Sequence, residues 1–177
     1  MVKIVVTHPT GNANVRAAVN GFLQQEMLAQ FNTTIATFPG KKLDILSSLG
    51  PFAEFRRRSY HPALKQYTKT LPSRELFRHA ATKFGWTGLV QYEKGLFSID
   101  RVNWGLDQKV ATRLERSLKK GVNAVYSYED IAYRTFLSAK ERNIACFYDL
   151  PTGYWRAARQ LLEEEKEKWP GWIGTKA

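Results

Sequence analysis

The chain of 177 residues has few of the side chains from which disulfide frameworks and metal sites are built. Its single cysteine, Cys146, cannot form an internal disulfide bond, and alone it cannot build a zinc site. A buried core thiol in a reducing cytoplasm is the expected state. The three histidines, His8, His61 and His79, lie too far apart to pair on one helix face. The sequence therefore predicts no metal site.

Long apolar runs and nucleotide-binding glycine motifs are also missing. No stretch approaches the roughly 20 apolar residues of a membrane span. The turn after the first predicted strand contains neither a G-x-G-x-x-G fingerprint nor a Walker loop, which leaves a nucleotide-dependent oxidoreductase with little support. No nucleic-acid-binding motif is recognisable. With 44% apolar and 24% charged residues, the composition is that of a globular domain with a full core.

Positive charge is abundant and unevenly distributed, with a formal net charge of +11. Residues 41–83 contain ten basic and three acidic residues, whereas residues 121–177 contain eight of each. Such a basic segment suits phosphates, whether of nucleic acid, anionic lipid or a soluble ligand. Aromatic residues interleave with the basic ones, which indicates a patch for an anionic membrane, with a solvated charged face as the alternative. The basic residues of this predicted membrane or anion patch are Arg56, Arg57, Arg58 and Lys65.

Apolar periodicity predicts an alternation of strands and helices. The β-branched run Val2–His8 indicates a buried strand, and a helical stripe follows from Asn14. The further predicted elements are a strand at Thr34–Phe38, a helix before Pro62, a helix at Ser73–Phe84 capped by Ser73, a helix through Leu106–Leu118, a strand at Val122–Tyr126, a helix starting at Ser127–Asp130, a strand at Ile144–Tyr148 and a helix from Gly153 or Tyr154 to before Pro170. This alternation requires parallel pairing, so we predict one α/β, three-layer, Rossmann-like domain over residues 1–177, with a mostly parallel sheet and helices on both faces.

Ligands of such sheets bind beyond the carboxyl ends of the strands, which directs attention to three short segments. In the first, His8–Asn14, Gly11 lets the backbone approach a ligand closely. The N-terminus of the following helix suits an anion or a sugar hydroxyl. The alternative is a simple turn capped by Asn12 or Asn14. His8 as a general base would need a partner that the sequence does not identify.

The other two segments follow later strands. Ser127 and Asp130 have the spacing of helix caps. Glu129 between them is not needed for capping, and it either accepts hydrogen bonds from sugar hydroxyls or is solvated. Asp149, where the last strand ends, is a candidate base or hydroxyl ligand, or else a turn cap. Downstream, Tyr154 and the nearby Arg156 suit stacking on the face of a sugar. The alternative is that the aromatic residue belongs to the core and Arg156 is a surface charge.

Together these segments resemble the N-terminal half of bacterial glycosyltransferases with the GT-B fold, of the glycosyltransferase family 4 (group 1) type. The resemblance covers most of the chain and is weak over residues 41–104. It is carried by His8-Pro9-Thr10-Gly11-Asn12-Ala13-Asn14-Val15-Arg16, by Ala124-Val125-Tyr126-Ser127-Tyr128-Glu129-Asp130 and by Tyr148-Asp149-Leu150-Pro151-Thr152-Gly153-Tyr154-Trp155-Arg156.

The resemblance implies the acceptor-binding half of a retaining glycosyltransferase, which transfers a sugar from a nucleotide-sugar donor to an acceptor without a bound metal. Its implied partner is a C-terminal domain that binds the donor and carries a paired-glutamate motif absent from this sequence. The chain alone is then expected to bind no cofactor and to be inactive. The implied catalytic residues are Asp149 and Glu129, and the implied substrate-binding residues are His8, Thr10, Gly11, Asn12, Asn14, Ser127, Tyr128, Tyr154 and Arg156.

Two expectations concern the surroundings of the chain. Family members that act on lipid-linked acceptors often meet the membrane through this domain, which implies a cytoplasmic protein, peripheral at the inner face of the membrane. The alternative to an enzyme is a non-catalytic basic module that binds an anionic membrane or nucleic acid through residues 41–83. Because no nucleic-acid motif is present, lipid is the better form of that alternative.

Overall fold

The computed structural model describes residues 1–40, 55–151 and 153–172 of the chain. The strands are β1 (Ile4–Thr7), β2 (Leu28–Thr33), β3 (Thr68–Thr70), β4 (Ala124–Tyr128) and β5 (Ala145–Asp149). The α-helices are α1 (Ala13–Gln24), α2 (Ser73–Lys83), α3 (Thr87–Val90), α4 (Ile99–Leu118), α5 (Tyr133–Lys140) and α6 (Trp155–Lys168). Pro62–Gln66 and Pro170–Trp172 form 3₁₀ turns.

The five strands form one sheet in the order β3-β2-β1-β4-β5, and every neighbouring pair is parallel. Each strand must therefore be reached by a crossover, and the helices cover both faces. One core cluster joins β1 and β2 to α1, and a second joins β1 and β4 to α4 and α5. This arrangement confirms the predicted α/β fold with a parallel sheet between two layers of helices.

The first β-α-β unit follows directly from the sequence pattern. All four residues of β1 are buried, as expected of a central strand covered on both faces. The Asn12 side chain caps α1 by accepting a hydrogen bond of 2.9 Å from the Val15 amide. Val15 and Val19, one helical turn apart, then pack against Ile4 and Val6 of β1. The predicted strand and helix are thus confirmed, with Asn12 as the cap.

The opposite face of the sheet is covered mainly by α4. Its residues Leu106, Val110 and Leu114 are each at most 3% exposed and pack against Val5 and Val125. Their spacing of four residues places them on one side of the helix, which is why the sequence revealed this element. Helix α4 begins at Ile99, earlier than the stripe itself indicated.

The predicted strand at Thr34–Phe38 is wrong, because the second strand is β2, which ends at Thr33. The polar residues Gln30 and Asn32 interrupt the apolar pattern by which a strand is recognised in the sequence. In the structure they satisfy each other, because the Gln30 side-chain amide donates a hydrogen bond of 2.6 Å to Oδ1 of Asn32. After β2 the chain leaves the sheet, because the hydroxyls of Thr33 and Thr34 both donate to the Pro9 carbonyl.

The predicted helix start at Ser127–Asp130 is also wrong. Ser127 lies within β4, and Asp130 has a left-handed backbone (φ 68°), which interrupts any helix there. Helix α5 begins at Tyr133, and its cap comes from α4: the Asp107 carboxylate accepts hydrogen bonds from the amides of Arg134 and Thr135, at 2.7 and 2.9 Å. A cap supplied 27 residues upstream leaves no local sequence signal.

Two predictions in the middle of the chain need similar correction. The residue that precedes α2 is Pro72, and the predicted cap Ser73 is the first residue of the helix, with no capping side-chain hydrogen bond at this end. Before Pro62, a 3₁₀ turn occupies residues 55–58. The rest of the helix expected there, including Phe52, lies outside the described residues.

The last strand and the last helix are largely exposed. Phe147 and Tyr148 of β5 are 50% and 52% exposed, and Cys146 is half-buried where a fully buried thiol was expected. Burial nevertheless raises the pKa of that thiol. Leu161 and Leu162 of α6 are both more than 60% exposed. Among the described helices, none is long and apolar enough to cross a membrane.

The turn between β1 and α1 depends on glycine at position 11. Gly11 has a φ of +66°, and a Cβ placed there would lie 1.8 Å from the Tyr60 hydroxyl. We expect Gly11→Ala to lower the free energy of unfolding by about 3 kcal/mol, from left-handed strain plus overpacking. Urea unfolding of the variant measures this loss.

Two glycines supply the controls for this substitution. Gly40 also has a positive φ, +73°, but a Cβ there meets nothing within 4 Å, so Gly40→Ala should cost only about 1 kcal/mol. Gly21 lies in α1 with open space around it, and Gly21→Ala should be neutral or stabilising. Equal losses for positions 11 and 40 would contradict the contact with Tyr60.

Candidate ligand site at the carboxyl ends of the strands

The site lies where β1 and β4 end side by side. From β1 the chain turns through α1 toward β2 on one side, and from β4 it turns through α5 toward β5 on the other. The loops therefore diverge at this point and leave a crevice between them, which is where open parallel sheets bind ligands. His8 follows β1, and Glu129 follows β4, so the topology brings together the first two predicted segments.

His8 is a buried residue, 2% exposed, that organises the loop after β1. Its Nδ1 accepts hydrogen bonds from the amides of Thr10 and Gly11, at 3.1 and 2.6 Å. With Nδ1 as an acceptor, the neutral ring carries its proton on Nε2, and the ring packs edge-on against Tyr128 with centroids 4.3 Å apart. No side chain of the described residues hydrogen-bonds to Nε2.

The imidazole of His8 is neutral at physiological pH. Its pKa is lowered to about 4, because burial and the positive charge of Arg58 lower it more than the negative charge of Asp149 raises it. Because Nδ1 is occupied by two amides and Nε2 is buried, the ring is poorly placed to take a proton from a ligand. The geometry makes His8 a support for the Thr10–Gly11 backbone.

Asp149 ends β5 beside the same crevice. Its Oδ2 accepts a hydrogen bond of 2.7 Å from the Tyr126 hydroxyl. Burial, this hydrogen bond and the charge of Asp149 raise the pKa of Tyr126 to about 12, so the phenol remains a donor. Burial also raises the pKa of Tyr128, and the charges of Glu129 and Asp149 raise it further. The two predicted carboxylates therefore lie near one tyrosine ring.

A basic pocket of about 300 Å³ opens at the start of α1. Its lining combines the loop after β1 with three arginines: Thr10, Gly11, Asn12, Ala13, Arg16, Arg57 and Arg58. The first amides of α1 have no partner within the helix, and the helix dipole adds partial positive charge there. Such a pocket suits a phosphate or another anion.

Arg16 lines this pocket and Tyr60 contacts its wall, although neither was among the predicted site residues. The Arg16 guanidinium lies over the Tyr60 ring at 5.4 Å, and the Tyr60 hydroxyl is 3.3 Å from the Thr10 carbonyl, to which it donates. The sequence signal for Arg16 was its place four residues after the cap, one helical turn along the same side of α1. Tyr60 is 50 residues from Thr10, so no local pattern reveals the contact.

Arg58 is not part of an exposed patch, in contrast to the expectation for the basic segment. It is 6% exposed, and it donates to Glu75 at 2.8 Å, to the Pro9 carbonyl at 3.1 Å and to the Thr34 hydroxyl at 3.3 Å. Arg56, Arg57 and Lys65 are exposed. Only Arg57 of these three lines the basic pocket.

Glu75 is the buried centre of this ionic cluster, with 0% of its side chain exposed. Arg78 approaches its other oxygen at 3.2 Å, and His79 Nε2 lies 3.3 Å from Oε1. Burial alone would raise the pKa of Glu75, but the hydrogen bonds of His79 and Arg78 and the positive charges of Arg78 and Arg58 lower it to about 2. Glu75 is therefore ionised at any physiological pH.

The remaining predicted residues lie away from the basic pocket. Asn14 is exposed in the first turn of α1. Successive residues of β4 point to opposite faces of the sheet, so Ser127 lies on the face covered by α4, together with Val125 and opposite to Tyr128. The buried hydroxyl of Ser127 has no hydrogen-bond partner among the described residues. Tyr154 and Arg156 stand at the exposed start of α6, where the guanidinium lies 6.0 Å from the Tyr154 ring.

A larger concavity, about 850 Å³, lies between the loop after β4, α4 and α5. Its walls are mainly aromatic and aliphatic, with Asp130 from the loop and Tyr148 from β5 at one side. Trp104 and Tyr133, which are 51% and 74% exposed, offer flat faces of the kind that stack on sugar rings. This aromatic concavity therefore shares the β4 loop with the crevice.

Comparison with known proteins gives no relative from which a role could be assigned: no family model matches the chain, and no curated protein has significant sequence similarity to it.

Breaking the ion pair between Arg58 and Glu75 by removing one partner should strongly destabilise the fold. Glu75→Gln leaves the buried guanidinium without its counter-charge, and we expect the free energy of unfolding to fall by about 3–5 kcal/mol. Arg78→Gln, which removes a partly exposed partner of the same carboxylate, should cost about 1 kcal/mol or less. Urea unfolding at pH 7 measures both losses.

A double variant separates the pair from its surroundings. In Arg58→Met/Glu75→Met neither member of the pair stays buried without its partner. The free energy of unfolding should therefore fall by clearly less than the sum of the losses for Arg58→Met alone and Glu75→Met alone. A loss for Glu75→Gln no larger than that for Arg78→Gln would contradict the account.

Proposed function

We propose that this chain is the acceptor-side domain of a retaining glycosyltransferase of the GT-B type and that its crevice holds a ligand rich in phosphate and hydroxyl groups. One observation supports this most: the basic pocket follows β1 and the carboxylate of Asp149 ends β5, so both lie at the carboxyl ends of strands in one parallel sheet, with β4 between them. Phosphates and sugar hydroxyls need these two kinds of group, donors on one side and acceptors on the other.

The phosphate part of the ligand is assigned to the basic pocket. The free amides at the start of α1 donate to phosphate oxygens, and Arg16 and Arg57 supply charge-assisted hydrogen bonds from the pocket wall. Arg58 already bonds to three partners, so its role is to position the Pro9 carbonyl and with it the loop. His8 holds the next two amides of that loop.

The sugar part is assigned to the carboxylates and the aromatic concavity. Tyr126 fixes Oδ2 of Asp149 and thereby orients the second oxygen, Oδ1, for a ligand hydroxyl. Glu129 is tied to the same place, because its amide donates to the Asp149 carbonyl at 3.0 Å. Carboxylates at this edge can orient hydroxyls and accept a proton from the attacking one. The nucleoside of the donor is assigned to a second, C-terminal domain, so that the phosphates and the transferred sugar of the donor are the parts that reach this crevice.

Binding of defined probes tests this function. Isothermal titration calorimetry with UDP-glucose and with inorganic pyrophosphate separates the sugar contribution from the phosphate contribution. We expect both probes to bind, and we expect Arg57→Ala to weaken both about tenfold, the loss of one charge-assisted hydrogen bond. Arg56→Ala is the matched control, because this neighbouring arginine is exposed but does not line the pocket.

A second variant distinguishes sugar recognition from simple anion binding. Asp149→Asn should weaken UDP-glucose severalfold and leave pyrophosphate unchanged, because only the sugar has hydroxyls to donate to the carboxylate. If wild-type protein binds the two probes equally and Asp149→Asn changes neither, the chain is an anion-binding module and the transferase proposal fails. The proposal also fails if Arg56→Ala and Arg57→Ala have the same effect.

A further inference from the structure

Exposed apolar side chains concentrate in the excursion between β3 and α4. Six of them, between 37% and 68% exposed, belong to α2, α3 and the loops beside α3. We call them the aromatic surface: Phe77, Phe84, Trp86, Leu89, Tyr92 and Leu96. Single exposed apolar residues are ordinary, but a run of this density within about 20 residues marks a contact surface.

The aromatic surface is built as a unit. Phe77 lies in the middle of helix α2 and stacks on Phe97, with ring centroids 5.2 Å apart. Phe84 directly follows the last residue of α2, seven residues after Phe77 and therefore on the same side. Phe84 stacks on Trp86 with ring centroids 5.4 Å apart. The chain then doubles back tightly, because the Phe97 amide donates to the Leu89 carbonyl at 2.8 Å. Trp86 and Leu89 are thus held close to the end of α2.

The rest of the molecule holds this surface in place. The opposite side of α2 carries Glu75, whose buried ion pair with Arg58 fixes the helix to the loop after β1. Arg74 donates to the Arg101 carbonyl at 3.1 Å, which ties the start of α2 to the start of α4. The exposed aromatic rings therefore project from a fixed base.

The charges around the aromatic surface are mostly positive. Four exposed basic residues lie in this excursion or directly after it in the sequence: Arg74, Lys83, Lys94 and Arg101. The acidic residues of the excursion are fewer. Glu75 is neutralised by its cationic partners, Asp100 is buried and accepts from the Glu93 amide, and the Glu93 carboxylate is exposed. The surface thus combines Trp, Tyr and Phe with a net positive charge.

We infer that the aromatic surface and its flanking basic residues dock the protein on an anionic membrane. Trp and Tyr prefer the boundary between lipid headgroups and acyl chains, and Phe and Leu insert just below it. Lys and Arg are attracted by the negative potential of anionic lipids. This surface differs from the predicted patch at Arg56–Lys65, and the inference does not rest on the proposed transferase function.

Cosedimentation with lipid vesicles tests the inference. The protein is mixed with vesicles of phosphatidylcholine containing 30% phosphatidylglycerol, and with vesicles of pure phosphatidylcholine. We expect binding to the anionic vesicles, weakened at least fivefold on pure phosphatidylcholine and by high salt. The variant Phe84→Ser/Trp86→Ser should lower the partition coefficient at least tenfold, and Lys83→Gln/Lys94→Gln should lower it on anionic vesicles only.

Matched variants elsewhere on the protein serve as controls. Leu161→Ser/Leu162→Ser changes two equally exposed apolar residues of α6, and Lys119→Gln/Lys120→Gln removes two exposed charges after α4. Both should keep the wild-type partition within a factor of two. Unchanged circular dichroism and urea unfolding confirm that the variants fold.

Three results would overturn the inference. The first is no binding of wild-type protein to anionic vesicles. The second is equal loss of binding in the aromatic and control variants. The third is a dimer in light scattering that only Phe84→Ser/Trp86→Ser dissociates, which would make the surface a contact between copies of the chain. None of these results depends on whether UDP-glucose or pyrophosphate binds.

Discussion

The ion pair between Arg58 and Glu75 is the interaction on which both proposed binding surfaces depend. Glu75 is completely buried, and Arg58 reaches from it to the Pro9 carbonyl and the Thr34 hydroxyl. One guanidinium thus connects the loop after β1, the end of β2 and the helix that carries the aromatic surface. A buried ion pair adds little net stability compared with apolar packing, but its geometry is demanding, and breaking it is costly. Its role here is to fix three segments in one arrangement.

The parallel sheet supplies the second constraint. Because β1 lies between β2 and β4, the chain must leave it on one side and leave β4 on the other, so a crevice forms at their carboxyl ends. Around it the structure separates two kinds of chemistry, with amides and arginines on the α1 side and the carboxylates of Glu129 and Asp149 near β4 and β5. This separation is why we assign phosphate to one side and sugar hydroxyls to the other.

The sequence predicted the elements whose apolar residues repeat on one face. The strand β1, helix α1 and helix α4 follow from periodicity, and with them the fold class. The sequence misplaced β2, because Gln30 and Asn32 are polar residues within that strand and the hydrogen bond between their side chains is visible only in the structure. The sequence could not reveal the Asp107 cap or the Arg58–Glu75 pair, because partners 27 and 17 residues apart leave no local pattern.

The central claim is that the crevice beside His8 is a ligand site, and amide-resolved NMR tests it most directly. ¹H–¹⁵N spectra of the labelled chain are recorded during a titration with UDP-glucose. The account predicts that the largest shifts fall on the amides of Thr10, Gly11, Asn12 and Ala13, with a second group near Glu129 and Leu150. Saturable shifts confined to α2, α3 or α6, or no shifts at millimolar ligand, would contradict it.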